Sequence, residues 1–392
     1  MNNLISDLNI TLKQAKKCTF YNNRILSDSI NTIEDFQNIP ITTKDSLRKL
    51  NPYDALCVPV SELYDYHESY GTTGIPLATW FTKNDFMSYV KQLDESTLDL
   101  RSDDLVLNRF PYAISVPAHI FSEYAHIHGA TIIPVSKASL ITPFPRVVNL
   151  IRKLKPTIIN GMPEELFKIA DTAKIMGVDL KKLGCIRALC VAGEMLSNAR
   201  RIRLENVYGA KVFNYFGCTE CGNMATSDDT GNLVPSKDFF FEIVDPFSLK
   251  PTKTGIGKIL VTTLKKEAFP LVRYDLGDLA ELKDGFLIHH GRETDFVKLS
   301  ETSYTFKQLQ EIFLSLPDTI VGNNFRFKIN GNEVIFQFEK PNGMFDTPKN
   351  YEQLDCPFKY KMEPFNFGEF TNIDKLMQID KVSKPKYIEY LN

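Results

Sequence analysis

The run Ser69-Tyr70-Gly71-Thr72-Thr73-Gly74-Ile75-Pro76 places two glycines and two threonines at four consecutive positions, a composition poor for core packing and apt for holding an anion. Glycine reaches backbone conformations that turn successive N–H groups into one concavity, and each threonine adds a hydroxyl donor. Ser69, Gly71, Thr72, Thr73 and Gly74 are therefore candidates for phosphate binding. Leu63-Tyr64-Asp65-Tyr66 before the run and Ala78-Thr79-Trp80-Phe81 after it both have strand composition, so the loop joins strand to strand. The NTPase loop differs, because it leads through Gly-Lys-Ser/Thr into a helix. By itself the run reads equally well as an ordinary Gly/Thr hairpin turn.

Three later runs carry complementary groups. Phe213-Asn214-Tyr215-Phe216-Gly217-Cys218-Thr219-Glu220 ends in a hydroxyl and a carboxylate, Pro270-Leu271-Val272-Arg273-Tyr274-Asp275-Leu276-Gly277-Asp278 ends in a carboxylate, and Gly291-Arg292-Glu293-Thr294-Asp295 carries a cation. Taken in order, the four runs resemble the adenylate-forming superfamily of acyl-CoA synthetases, peptide-synthetase adenylation domains and luciferases. Ile39-Pro40-Ile41-Thr42-Thr43-Lys44-Asp45-Ser46-Leu47 and Gly129-Ala130-Thr131-Ile132-Ile133-Pro134-Val135-Ser136 look like segments of its phenylacetate-CoA ligase branch. The likeness covers nearly the whole chain.

That resemblance implies an enzyme using ATP and Mg2+ to turn a small, aromatic carboxylic acid into an acyl-adenylate, then passing it to CoA or a carrier protein. The substrate carboxylate attacks the α-phosphorus and pyrophosphate leaves, a reaction served mainly by positioning and charge neutralisation. By the same resemblance the Ser69–Gly74 loop holds the β- and γ-phosphates, Thr219 meets the α-phosphate and Glu220 ligates Mg2+. Glu220 is expected at a cleft surface with little core packing, the competing reading being a solvated loop acid. Gly193-Glu194-Met195 with Asn214, Tyr215, Phe216 and Gly217 match the adenine slot, Phe216 standing where most relatives have Tyr. Asp278 matches the acceptor of both ribose hydroxyls, and Arg292 a ribose or phosphate contact; Arg273 reads as a structural ion pair. His119 falls where the superfamily starts the helix lining the carboxylate pocket, and a buried hydrogen-bonded histidine is the alternative. Tyr112, Phe121 and Met162 could line an acyl pocket or be plain core. Lys384 matches the lysine that enters during adenylation, a solvated tail being the other reading.

Three departures from the pattern bear on activity. Ile75 replaces a loop lysine, Ser300-Glu301-Thr302 replaces an Arg-Gly after the hinge, and no glycine precedes Lys384. They leave two alternatives open: adenylation with a non-CoA acceptor such as a carrier protein or a reductase, and a nucleotide-binding homologue that has lost catalysis.

Positioning these groups needs a sizeable scaffold. The 392 residues are 43% hydrophobic with a net charge of −2, so the chain can bury a large core and lacks the basic footprint of a nucleic-acid binder. No apolar run spans a bilayer and the N-terminus lacks a signal peptide, so a cytoplasmic protein is expected, with a homodimer left open. Seven scattered cysteines suggest free thiols, and Cys218-x-x-Cys221, without a second pair, reads as small residues flanking a nucleotide loop. Apolar runs at 105–107, 131–134, 157–159 and 188–191 alternate with helical patterns at 117–128, 145–155, 163–176 and 197–207, the signature of a parallel sheet flanked by helices. A helix is expected at 86–98 and antiparallel strands at 239–244 and 257–262. A helix at 306–315 and a hairpin through Asn330-Gly331-Asn332 complete the pattern. The expected fold is α/β: residues 1–294 form a large domain with parallel sheets and an antiparallel subdomain. Residues 295–392 form a small α+β lid with Asp295 at the hinge.

Overall fold

The computed structural model describes residues 2–69, 76–137, 139–252, 255–341, 354–370 and 388–390. The phosphate-loop residues Gly71, Thr72, Thr73 and Gly74, with Ile75, lie outside the described residues, as does Lys384. The fold is α/β, and the chain condenses into two compact units. One holds Met1–Leu98, Tyr112–Tyr124 and Tyr215–His289; the other holds Asp99–Pro111, Ala125–Asn214 and His290–Asn392. Among the described residues no helix is long and apolar enough to cross a membrane.

The second unit contains the parallel sheet that the apolar runs imply. Strands Ala188–Ala192, Ile158–Gly161, Leu105–Asn108 and Thr131–Pro134 lie side by side in that order, each neighbouring pair parallel. Helices Phe144–Leu154, Pro163–Ile175 and Asn198–Tyr208 cover it, burying Val148, Ile151, Leu166 and Leu204 against Leu107 and Ile159. In the same unit helix Phe306–Leu314 packs Phe313 onto Phe336 of a four-stranded sheet built on the hairpin Phe325–Asn330 and Glu333–Glu339. That helix and Asn198–Tyr208 cap each other: the Glu311 carboxylate accepts from the Ala199 N–H at 3.1 Å, and Arg203 donates to the Leu316 carbonyl at 2.6 Å. Each end so satisfied has unpaired backbone groups of its own.

In the first unit strands Leu63–Ser69 and Leu77–Thr82 form the antiparallel hairpin that brackets the Gly/Thr run. Phe239–Val244, Gly257–Thr263 and Tyr274–Lys283 form an antiparallel array. The helix expected at 86–98 is instead Lys83–Leu93. Its start is set by a capping box rather than by apolar spacing, since Thr82 and Asp85 exchange side-chain and backbone hydrogen bonds. The Ile39–Leu47 motif has a structural use. Thr42 donates its hydroxyl to the Val272 carbonyl at 2.7 Å, and Thr43 caps helix Lys44–Arg48.

Arg273 is the structural ion pair the sequence suggested, although it sits just before a strand in a left-handed conformation (φ 47°). Its guanidinium meets Glu242 through two bonds of 3.1 Å and also donates to the Ile39 carbonyl at 2.6 Å. Replacing Arg273 with Met leaves Glu242 buried and unpaired, so unfolding in urea should show a loss of about 3–5 kcal/mol; a loss under about 1 kcal/mol would mean that the pair is not structurally important.

Asp171 gives a pH signature. Burial, reinforced by the Glu339 and Glu164 carboxylates, pushes its pKa up from 3.8 to about 7. An acid bound to its proton more tightly when folded weakens the fold progressively as pH rises from the unfolded to the folded value. Asp171→Asn, which keeps a partner for Asn324, should therefore stabilise the protein at about pH 8 and be neutral near about pH 4. Equal effects at both values would contradict the assignment.

Candidate active site

Strand Lys211–Cys218 turns back through Thr219, Glu220 and Cys221 into strand Gly222–Ser227. The turn is too tight for side chains at its base. A Cβ on Gly217 would stand 2.2 Å from the Gly222 carbonyl oxygen, and one on Gly222 would stand 2.6 Å from the Tyr89 ring.

Glu220 is not at a cleft surface, nor is it a solvated loop acid: it is 2% exposed. Its Oε1 accepts from the Tyr274 hydroxyl at 2.6 Å, and its backbone carbonyl accepts from the Tyr89 hydroxyl at 3.0 Å and from the Lys266 ammonium at 2.5 Å. Burial first, and then the Glu220 charge, push the Tyr274 phenol well above its ordinary range, so it stays a donor. Burial pushes the Lys266 ammonium down. Oε2 is buried and has no hydrogen-bond partner among the described residues. A desolvated carboxylate oxygen without a donor is costly, and a hard cation is a fitting partner for it. Glu220 thus suits Mg2+. No group of three His, Cys, Asp or Glu among the described residues forms a metal cluster, so phosphate oxygens and water would complete the shell.

Two of the nucleotide candidates come together through a residue the motifs did not name. The Phe216 ring lies 4.7 Å from that of His289, and His289 Nε2 lies 3.7 Å from Asp278 Oδ2. Only the alternation of strand Phe286–Arg292, which sets the face of the sheet on which His289 stands next to the neighbouring strand Tyr274–Lys283, could have signalled this. Tyr215 is committed elsewhere: its hydroxyl is 3.0 Å from Ser96 Oγ, and its ring meets Phe121 edge-on at 5.1 Å. Asn214 and Thr219 are both half-buried. Ser69 uses its hydroxyl to accept from the Leu77 N–H at 3.2 Å at the base of the hairpin.

His119 donates from Nε2 to the Tyr112 carbonyl at 2.8 Å, and its ring lies 5.3 Å from that of His67. His67 is itself fixed, with Nδ1 donating to the Ile114 carbonyl at 3.1 Å and Nε2 3.0 Å from Asp65. A hydrogen-bonded histidine is therefore what the structure places at 119, half-buried rather than sealed in the core.

In the other unit Gly193 follows strand Ala188–Ala192 with φ 85°, a conformation that favours glycine. Glu194 pairs with the buried Arg200 at 3.5 Å, and Met195 packs among Val297, Phe306 and Phe313. Their side chains are thus committed, leaving the backbone as the part that can face a flat ring. Arg292 ends its strand half-buried.

The family model for AMP-binding enzymes matches residues 70–261. The phenylacetate-coenzyme A ligase of Thermus thermophilus is 27% identical over 308 residues, covering 74% of this chain and 68% of that protein. That of Pseudomonas putida is 27% identical over 314 residues, covering 73% and 70%. These matches are to the adenylate-forming superfamily. The likeness to phenylacetate-CoA ligases indicates an acid–thiol ligase enzyme. In fold it matches a crystal structure of 2-hydroxyisobutyryl-CoA ligase in complex with 2-HIB-AMP, with a TM-score of 0.82 over 98% of this chain and 88% of that one at 17% identity. It also matches the anthranilate CoA ligase AuaEII, with a TM-score of 0.59 over 77% and 63% at 17% identity. Adenylate formers must hold a ribose, and Asp278 is a buried carboxylate that shares the neighbour His289 with Phe216. Asp278→Ala should weaken ATP and AMP alike by about 1.5–3 kcal/mol, the value of charge-assisted hydrogen bonds. Unchanged AMP affinity by calorimetry would remove Asp278 from the site.

Proposed function

We propose that the protein is an ATP-dependent acid–thiol ligase that activates a small carboxylic acid as its acyl-adenylate and transfers the acyl group to CoA. The observations that carry this reading are the buried turn Thr219–Cys221, where a Glu220 carboxylate oxygen has no hydrogen-bond partner among the described residues, and the approach of the nucleotide candidates Phe216 and Asp278 to His289. The likeness to phenylacetate-CoA ligases supports the choice of thiol and favours an aromatic acid.

In the first half-reaction a substrate oxygen bonds to the α-phosphorus of ATP and the bond to pyrophosphate breaks; in the second a thiol sulfur bonds to the acyl carbon and AMP leaves. Mg2+, when bound at Glu220, neutralises charge on the phosphate oxygens. Tyr274 and Tyr89 orient that carboxylate and its backbone. Thr219, beside it on the turn, is assigned to the α-phosphate. Ser69 and the loop of Gly71, Thr72, Thr73 and Gly74 are assigned to the outer phosphates. Phe216 offers a stacking face for adenine, and loss of the phenol found in most relatives removes a hydrogen bond but not the stacking. Asp278 is assigned to the ribose, Arg292 to the ribose or a phosphate, and His119 to the carboxylate pocket. In the domain division proposed, residues 1–294 perform adenylation and 295–392 act as the lid that brings in Lys384.

Pyrophosphate exchange into ATP across a panel of aliphatic and aromatic acids tests the reading. Exchange dependent on both an acid and Mg2+ is expected; its absence for every acid would leave a nucleotide-binding protein without catalysis. Glu220→Gln keeps the side-chain volume and an acceptor for Tyr274 while removing the charge. Exchange should fall by roughly two orders of magnitude without loss of folding, and wild-type exchange in that variant would end the metal assignment. CoA-dependent release of AMP then separates CoA from other acceptors.

A further inference from the structure

Lys266 belongs to none of the recognised motifs, yet its ammonium is buried beneath the turn that carries Glu220. It donates to the Glu220 carbonyl at 2.5 Å and to the Thr79 hydroxyl at 3.2 Å. It lies over the rings of Phe81, Tyr89 and Phe269 at 4.9, 5.6 and 5.6 Å. Thr79 stands on strand Leu77–Thr82, which follows the Gly/Thr run directly and pairs with strand Leu63–Ser69 before it. One cation therefore joins the two segments assigned to the triphosphate: the hairpin that carries the Gly/Thr run and the turn that carries the metal candidate.

Resting on the adenylation reading, we propose that Lys266 is a positioning residue that sets the distance between the phosphate-loop hairpin and the Mg2+-binding turn. Desolvating an ammonium is costly, and a purely structural link between a carbonyl and a hydroxyl needs no charge. A charged donor makes a stronger hydrogen bond than a neutral one, so the ammonium holds the backbone of the turn more firmly than a hydroxyl or amide would. It does not replace the lysine that Ile75 displaces, because it is enclosed by aromatic faces and reaches the turn's backbone, not its open side. Its action is on geometry: holding the Glu220 carbonyl keeps the adjacent side chain directed at the metal while Tyr274 holds Oε1.

The test measures the Mg2+ concentration for half-maximal pyrophosphate exchange, alongside AMP affinity by calorimetry without metal. In Lys266→Met, which keeps the length and loses the charge, the Mg2+ midpoint should rise roughly tenfold or more while AMP affinity stays within about twofold. A general loosening of the fold would weaken AMP too, and a folded variant with the wild-type Mg2+ midpoint would overturn the proposal. If Lys266→Met does not fold, Thr79→Val decides. It removes one acceptor with little change of shape and should raise the Mg2+ midpoint several-fold with AMP binding intact; a Thr79→Val enzyme matching the wild type overturns the bridge. Wild-type protein that exchanges no pyrophosphate with any acid rejects the adenylation reading and this inference with it. Wild-type exchange with unaltered variants rejects the inference alone.

Discussion

A carboxylate removed from water must find its partners in the protein, and the burial of Glu220 sets the arrangement of the first unit. Three separate segments meet its turn: Tyr89 from helix Lys83–Leu93, Lys266 from the loop after strand Gly257–Thr263, and Tyr274 at the start of strand Tyr274–Lys283. Each is held in turn by something else. Asp85 caps the helix bearing Tyr89 and with the same carboxylate accepts the Glu267 and Ala268 N–H groups at 2.7 and 2.9 Å, which places Lys266. Tyr274 is placed by its neighbours: Asp275 donates its N–H to the Thr42 carbonyl at 2.9 Å, and Arg273 is clamped to Glu242. The N-terminal Ile39–Leu47 motif therefore matters to the site at one remove, through the strand that carries Tyr274.

The tightness of the turn explains its glycines better than any ligand does. Gly217 and Gly222 are required because a carbonyl and an aromatic ring occupy the space a Cβ would need. Neither requirement involves a phosphate. The same packing that excludes side chains at 217 and 222 brings Tyr89 within reach of the Glu220 carbonyl, so the backbone of the turn is fixed from the side opposite its hydrogen-bonded strands.

Periodicity revealed the parallel strands and their helices because residues such as Ile158, Ile159 and Val191 are enclosed on both faces and have no polar alternation to confuse the pattern. It misplaced the helix around Phe86 because a capping box, not an apolar residue, decides where that helix begins. The site was legible as a set of motifs: Phe216 and Asp278, 62 residues apart by their numbers, do approach a common partner. That partner, His289, and Lys266 were not legible, since neither lies within a recognised pattern and both owe their place to long-range pairing. Nor could the sequence show that Glu220 is buried, because a Thr-Glu pair after a glycine looks the same whether its turn faces solvent or the Tyr89 ring.

Ser300 and Glu301, which stand where the resembled family has Arg-Gly, depart from it in charge more than in backbone shape. They form the tip of a short hairpin between strands Val297–Leu299 and Thr302–Tyr304, and Ser300 holds φ 56°, a left-handed conformation in which glycine is relaxed. The backbone has therefore kept the shape a glycine would give it, at a strain of about 1–2 kcal/mol, with the Asn332 side chain accepting the Ser300 N–H at 2.8 Å. What differs is the side chain of Glu301, which is exposed and negatively charged at the tip. The departure therefore puts an exposed negative charge where a glycine would leave bare backbone, and an anionic molecule near this tip meets repulsion that a neutral one does not. Such repulsion between exposed charges is screened by salt, whereas a steric obstruction by the same side chain is not.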